Sequence, residues 1–427
     1  MLTRIDVRGA RTDLRSALRR TSPSTDDIAA VVRDLIESVR VDGDAAVRDL
    51  TERFDGCRLD QFALSRADLD AALAGIDPDV RAALEFARDQ ILAWHEAQRE
   101  REAKHERAGV EVRELIVPVD RAGCYVPGGR ASYPSSVLMT AVPARVAGVT
   151  EVVVCVPADK HGNVAPVTLA AAALAGVDEV YRVGGAQAIA ALAYGTESIR
   201  PVDVVVGPGN AYVAEAKRQL AGVVGIDSIA GSSELAVVAD ETSDPVYVAA
   251  DLLAQAEHGP GGAAILVTWV PQVVEAVETA LDVLLTSSPR RDDAAATLST
   301  GGQAILVDGP EQAIDATNAI APEHLQLMCA DAGVLVPLVR HAAAVFVGPY
   351  ASAVVGDYVA GVNHVLPTGG TARYASALRV ADFQKHVHVV TLGRDALRHV
   401  APYAIVLAEA EGLDAHAQAL RLRVEEQ

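Results

Sequence analysis

Apolar residues recur along this chain at two spacings, and the switch between them divides it. From Asp26 and Asp27, after a Ser22-Pro23-Ser24-Thr25 break, they return every three or four positions to about residue 40 and again over 44–54, which predicts helices. A long charged helix is predicted over 78–107, with Arg99-Glu100-Arg101-Glu102-Ala103-Lys104 as a solvated face at its end. At residue 111 the texture turns to strand: Val112, Leu115, Val117 and Val119 lead into Arg121 and the turn Gly123-Cys124-Tyr125-Val126-Pro127-Gly128-Gly129.

From there strands and helices alternate. Strands are predicted over 151–157, 179–183 and 202–206, with helices over 166–175, from 184 onward, and over 211–220. A second passage opens with strand 234–239 and continues through an apolar helix from about 246, strand 263–268, helix 271–285, strand 303–307 and helix 310–320. Two short strand-like pieces and a loop over 356–364 follow. The tail has strand 386–392, a helix reaching Glu411, Gly412 as its stop, and Asp414 placed to cap a last helix with His416 in its first turn. The rhythm is that of an α/β fold whose parallel-sheet cores are joined by crossover helices.

Composition narrows the function classes. Half of the 427 residues are apolar and only 4% aromatic, which suits layers of small side chains better than an aromatic-rich sandwich. A formal net charge of −20 argues against nucleic acid or an anionic membrane as partner, but not against an anionic cofactor held at helix N-termini. The first residues hold no apolar signal core, and the longest apolar run, 165–177, contains Pro166 and Thr168 and is too short to span a bilayer. Cys57, Cys124, Cys155 and Cys329 are scattered, as in a reduced, cytoplasmic protein. Cys155 reads as strand core; Cys124, ahead of a glycine-rich loop, is open to a core or a nucleophilic reading.

Candidate chemistry falls at the ends of elements. Gly184-Gly185-Ala186-Gln187 and Gly207-Pro208-Gly209-Asn210 follow strands, where open α/β sheets bind ligands. Neither is a GxGxxG fingerprint, so their glycines either close tight turns or admit a nucleotide, with Gln187 and Asn210 each offering an amide. Gln255 and His258 are three apart on one helix face before Gly259-Pro260-Gly261-Gly262, as metal ligands or as a surface pair over the last carbonyls. Glu323-His324 sets two proton carriers side by side. Asp357 and His364 share a glycine-bracketed segment, and Glu411 and His416 straddle the Gly412 corner. At a helix start the dipole biases His416 towards the neutral, metal-binding form. Each pair alone has a bland structural reading; together they are better explained by one composite site.

With these residues set out, the chain resembles histidinol dehydrogenase over essentially its whole length. The most specific part is Ile226-Asp227-Ser228-Ile229-Ala230-Gly231-Ser232-Ser233-Glu234, followed at the family's spacing by Asp251-Leu252-Leu253-Ala254-Gln255-Ala256-Glu257-His258. The runs 184–195, 207–210, 321–325, 356–368 and 408–416 also match in order. The resemblance implies zinc held by Gln255, His258, Asp357 and His416, with Glu323 activating water and His324 taking the alcohol proton. It implies substrate contacts from the four zinc ligands and Glu323 together with Ser233, His364 and Glu411, and an NAD site lined by Tyr125, Gln187 and Asn210. The reaction implied is L-histidinol to L-histidinal to L-histidine with two hydride transfers to NAD⁺, the last steps of histidine biosynthesis.

The architecture implied is two incomplete Rossmann-like domains plus small terminal segments. Residues 1–20 form the first segment, 21–123 with 235–378 the zinc-bearing and catalytic domain, 124–234 the NAD-side domain, and 379–427 a tail. In the homodimer so implied, the tail donates Glu411 and His416 to the partner's site. Three departures stand out: Ser232 replaces the family's usual Pro, Gly259 a frequent acidic residue, and Thr140 a frequent Asn. The rival classes are a zinc hydrolase, weakened by the lack of an HExxH helix, an aldehyde-dehydrogenase-like enzyme using Cys124, and a catalytically dead binding module.

Overall fold

Two six-stranded sheets carry most of the chain. The computed structural model describes residues 2–10, 14–18, 26–129, 131–259 and 261–425; the break at 22–25 and Pro260 lie outside them. It falls into two compact units, Met1–Gln98 with Asp120–Phe383, and Arg99–Val119 with Gln384–Gln427.

In the first unit one sheet runs in the order Thr3–Asp6, Gly302–Leu306, Ala263–Thr268, Glu234–Val238, His324–Leu327, Ala344–Val347, all neighbours parallel. The other runs Ala63–Leu64, Glu179–Tyr181, Glu151–Cys155, Arg121–Tyr125, Val204–Val206, Gly225–Ile226, parallel except for its first pair. Leaving aside the first strand of each, both follow the order third, second, first, fourth, fifth of their own passage of chain. In such a sheet the crossovers leave on opposite faces either side of the first strand, opening a crevice there. This is the α/β fold with parallel-sheet cores that the alternation predicts.

Alternate side chains fill the two faces of the 234–238 sheet, as the two-residue period of a strand requires. Leu235, Val237 and Leu266 pack with Val248, Leu252 and Val277, whereas Ala236, Val238, Ile265 and Val267 pack with Ile314 and Leu325. The other sheet shares its core with the helix Asp26–Asp55, whose Val32, Val39 and Val47 are fully buried. That helix is kinked at Gly43 (φ 52°), which divides the two apolar patterns seen in the sequence. Where Gly207 follows its strand, φ is 117° and a Cβ would stand 2.1 Å from the Tyr125 carbonyl oxygen, so the turn admits only glycine. The Gly207 backbone is held at both its peptides, since its N–H donates to Asp227 (2.8 Å) and its carbonyl accepts from Lys217 Nζ (3.0 Å), and those two side chains are buried and ion-paired.

The second unit pairs Gln384–Leu392, Val110–Pro118 and Lys104–Arg107 in an antiparallel sheet, and its helices Arg394–Ala410 and Asp414–Glu425 pack against each other around Gly412 (φ 74°). Here one expectation fails. The helix predicted over 78–107 stops at Glu96, and residues 104–107 form a strand. Ala108 (φ 55°) and Gly109 (φ 75°) make the left-handed two-residue turn of a hairpin, and ladder pairing wins over a polar stretch with no apolar stripe to bury. Other elements were not anticipated, among them the edge strand Thr3–Asp6 and the helices Arg66–Gly75, Pro134–Ala147 and Arg291–Gly301. The segment 356–364 is not wholly loop either, because Asp357 lies in the helix Ala353–Tyr358, capped by Ser352.

Asp55 ends its long helix with Oδ2 buried and unpartnered, and burial pushes its carboxyl up to about 6. The folded protein therefore holds this proton to higher pH than the unfolded chain, where Asp titrates near about 3.9. Stability from this group is present below about pH 4 and is lost as pH rises to about 6. Asp55→Asn is expected to raise the melting temperature at pH 7.5, with the gain vanishing by about pH 4. Thermal denaturation of both proteins across that range checks it, and equal melting temperatures at pH 7.5 would refute it.

Candidate active site and cofactor cavity

The proton-carrying residues gather at the amino ends of the 234–238 sheet, opposite to the edge where open α/β sheets bind ligands. Ser233 precedes the first strand of that sheet's passage, and Glu323 and His324 begin the strand beside it, with His324 in register with Leu235. Glu323 is buried, and its Oε2 accepts from Ser233 Oγ (2.6 Å) and from the Glu234 N–H (2.8 Å). Its Oε1 makes no hydrogen bond to the described residues. His324 is buried beside it, with Nδ1 3.1 Å from the Glu234 carbonyl and Nε2 3.6 Å from Asp357 Oδ1. A carbonyl only accepts, so Nδ1 carries a proton and Nε2 is the position that can take one up.

Burial pushes the His324 imidazole down, but the carboxylates of Glu323 and Asp357 outweigh it and its pKa is raised. For Asp357 burial acts upward and is overcome by His324, His364 and His258, leaving its carboxyl below the ordinary range. His364 is lowered by burial, which Asp357 does not offset; its Nδ1 donates to the Asp357 carbonyl (2.9 Å), leaving Nε2 to accept from Ser136 Oγ (3.1 Å). Four sequence-predicted residues, Glu323, His324, Asp357 and His364, thus form one electrostatic cluster.

Gln255 and His258 join it from the end of the helix Pro245–Ala256, with His258 in the turn just beyond. The His258 Nδ1 donates to the Ala254 carbonyl (3.1 Å), so its Nε2 lone pair faces outward. Ser233 Oγ lies 3.2 Å from Gln255 Oε1, while Gln255 Nε2 is buried with no partner. A hydroxyl has one proton, and the contact with Glu323 takes it. Exchanging the amide oxygen and nitrogen of Gln255, which leaves its shape unchanged, lets Nε2 donate to Ser233 and frees an amide oxygen. The loop before Ser233 is tied to Thr368 Oγ1, which accepts from the Gly231 N–H at 2.5 Å. Among the described residues no three His, Cys, Asp or Glu side chains are arranged to hold a metal ion. The donors gathered here are an amide, an imidazole and a carboxylate.

At the carboxyl edge of the same sheet the segments that follow two neighbouring strands are tied together. Asp240 accepts from Thr242 Oγ1 (2.6 Å), the Thr242 N–H (2.9 Å) and the Ala330 N–H (2.9 Å). The carboxyl edge of the other sheet is open, with a cavity of about 1330 Å³. Tyr125, Gln187 and Asn210 all line it. Tyr125 is buried, its hydroxyl accepting from the Gly185 N–H (3.0 Å); Gln187 is buried with Nε2 unpartnered. Asn210 Oδ1 caps the helix Ala211–Leu220 through Tyr212 and Val213, which leaves its Nδ2 for a ligand. Arg53, Phe54 and Asp55 close one side of this cavity, and nothing in their spacing marks them for it.

Glu411 and His416 lie in the second unit, both exposed. Glu411 follows the last turn of its helix, and His416 is in the first turn of the next, as expected. Together with Leu407, Leu413 and Leu420 they border a shallow apolar depression. Cys124 is a fully buried residue of a central strand, and burial pushes its thiol up to about 12, so the nucleophile reading fails. All four cysteines are buried and free, and no helix of the described residues is long and apolar enough to cross a membrane.

The sequence profile of the family described as histidinol dehydrogenase matches residues 18–424. Histidinol dehydrogenase of Rhizobium meliloti (strain 1021) is 50% identical over 403 residues, 94% of this chain and 93% of that one. The enzyme of that name from Parasynechococcus marenigrum (strain WH8102) is 46% identical over 98% of this chain and 96% of its own. A crystal structure of histidinol dehydrogenase from Elizabethkingia anophelis superposes with a TM-score of 0.94 at 33% identity, covering 99% of this chain and 98% of that one. The chain belongs to the histidinol dehydrogenase family.

Proposed function

We propose that this protein is a zinc-dependent, NAD-linked oxidoreductase that converts L-histidinol to L-histidine through L-histidinal, working in the cytoplasm as a homodimer. The observation that carries the reading is the buried Glu323–His324 pair facing Asp357. When bound, NAD⁺ supplies the acceptor for two successive hydrides and zinc a point of attachment for the amino alcohol. Gln255, His258 and Asp357 fit the metal in donor chemistry: an amide oxygen freed by the Ser233 contact, an outward imidazole nitrogen and a carboxylate. His416, exposed on its own unit, would complete the set from a second copy, with Glu411 meeting the substrate beside it.

The first oxidation releases the hydroxyl proton as the carbon gives up a hydride. His324 Nε2, the ring position without a fixed proton, takes it. The second oxidation needs the aldehyde hydrated, so that its carbon again bears a hydroxyl and a hydrogen. Glu323 Oε1 takes the proton of the attacking water, while Oε2 stays pinned by Ser233 and Glu234. Ser233 and His364 border the same cluster and would orient the substrate.

Zinc-loaded protein given L-histidinol and excess NAD⁺ is expected to form two NADH and one histidine per histidinol, with activity lost on chelation. No NADH from a zinc-bound dimer would sink the proposal. Glu323→Gln keeps the side-chain shape and should lower kcat by about 10²–10⁴-fold; near-normal turnover would remove Glu323 from the chemistry. Gln187→Ala is expected to weaken NAD⁺ binding, read by tryptophan or NADH fluorescence titration, without changing zinc content. Cys124→Ser, away from both sites, should turn over almost normally, whereas its inactivation would revive a thiol mechanism.

A further inference from the structure

Asp251 lies one helical turn before Gln255 on the same face of the helix Pro245–Ala256, and His258 follows in the turn just beyond its end. Its carboxylate accepts from two other elements. Gln326 Nε2 donates to Oδ2 at 2.7 Å, and Ser352 Oγ donates to Oδ1 at 2.7 Å. Gln326 is fully buried, two residues beyond His324 and on the same strand face, and among the described residues its Oε1 has no partner and Asp251 is the one group its side chain bonds. Ser352 is the N-cap of the short helix that carries Asp357, and its Oγ also accepts from the Val354 N–H (3.3 Å).

We propose that Asp251 is a positioning residue for the metal-binding face, fixing the separations of the three elements that present Gln255 and His258, His324, and Asp357. This rests on the functional reading above. A carboxylate suits the place because both incoming groups are donors and each takes its own oxygen. An apolar side chain would leave the buried Gln326 amide wholly unpaired and the cap of the Asp357 helix loose. Groups that hold ligands in place act on metal affinity even when they never touch the metal.

The test titrates zinc into metal-free wild type, Asp251→Ala and Asp251→Asn against a chromophoric chelator, with NAD⁺ affinity measured on the same samples as a check of fold. Asp251→Ala is expected to bind zinc about 10–100-fold more weakly, with NAD⁺ affinity unchanged and kcat reduced even at saturating zinc. Asp251→Asn, which keeps one acceptor and can donate to Ser352, should recover most of the affinity. Wild-type zinc affinity in Asp251→Ala, or a fall in melting temperature alone, overturns the proposal. If Asp251→Ala does not fold, Ser352→Ala and Gln326→Leu each remove one of the two bonds and should each weaken zinc several-fold; no change in either overturns it equally. A wild-type protein that binds no zinc defeats the functional reading itself, an outcome separate from normal zinc binding with an indifferent Asp251 variant.

Discussion

The parallel register of two neighbouring strands is the constraint on which the site depends. Leu235 pairs with His324, and this brings the residues just before each strand, Ser233 with Glu234 and Glu323, to the same edge. The Glu323 carboxylate then meets a hydroxyl and a backbone N–H without any special loop. A slip of one residue would turn His324 to the other face of the sheet and carry Glu323 off its donors. Leu235, Val237, Leu325 and Leu327 are buried between helices on both faces, so such a slip would force each into a space shaped for its neighbour, which is costly in a close-packed core. Core packing and proton chemistry are therefore specified by the same pairing.

Two sheets of the same strand order are put to opposite uses. In the sheet around Arg121–Tyr125 the crevice at the carboxyl ends stays open, and glycine at 207 lets two turns approach where a side chain would collide. In its counterpart the Asp240 carboxylate bridges the segments beyond two neighbouring strands, and the proton-carrying cluster stands at the amino ends. The helix Pro134–Ala147 starts just beyond the cavity loop and reaches the other cluster: Ser136 meets His364, and Asn363 donates to the Met139 carbonyl at 2.7 Å. One helix thus runs from the cavity loop to the proton-carrying cluster, which is what the proposed hydride transfer between two bound molecules would need.

How much of this was legible in the sequence follows from how local each feature is. Helices 211–220 and 310–320 and strand 263–268 were read to their ends because Asn210, Pro310 and Pro271 are physical stop and start signals. The edge strand Thr3–Asp6 was missed because four residues, mostly exposed, carry no apolar alternation. The hairpin at 104–118 was obscured by charges that suit a helix surface equally well. For the site, the chemistry of Glu323-His324 was readable from adjacency, whereas its bond to Ser233 spans 90 residues and depends on strand order. The same holds for the Arg53–Asp55 wall of the cavity and the Asp251 contacts: only the folded sheet brings them together.

The cluster also poses an electrostatic problem. Asp357 and Glu323 flank His324, and two carboxylates raise the pKa of an imidazole that the proposed reaction asks to accept a proton. A base already protonated at neutral pH does nothing. A cation bound at Asp357 would cancel much of that carboxylate's pull and bring His324 back towards the range where it exchanges protons near pH 7. In the same step the negative surroundings favour the cation, which in a protein of net charge −20 requires no basic patch. On this argument the carboxylates that make His324 too basic alone are the ones that make it useful once the site is filled.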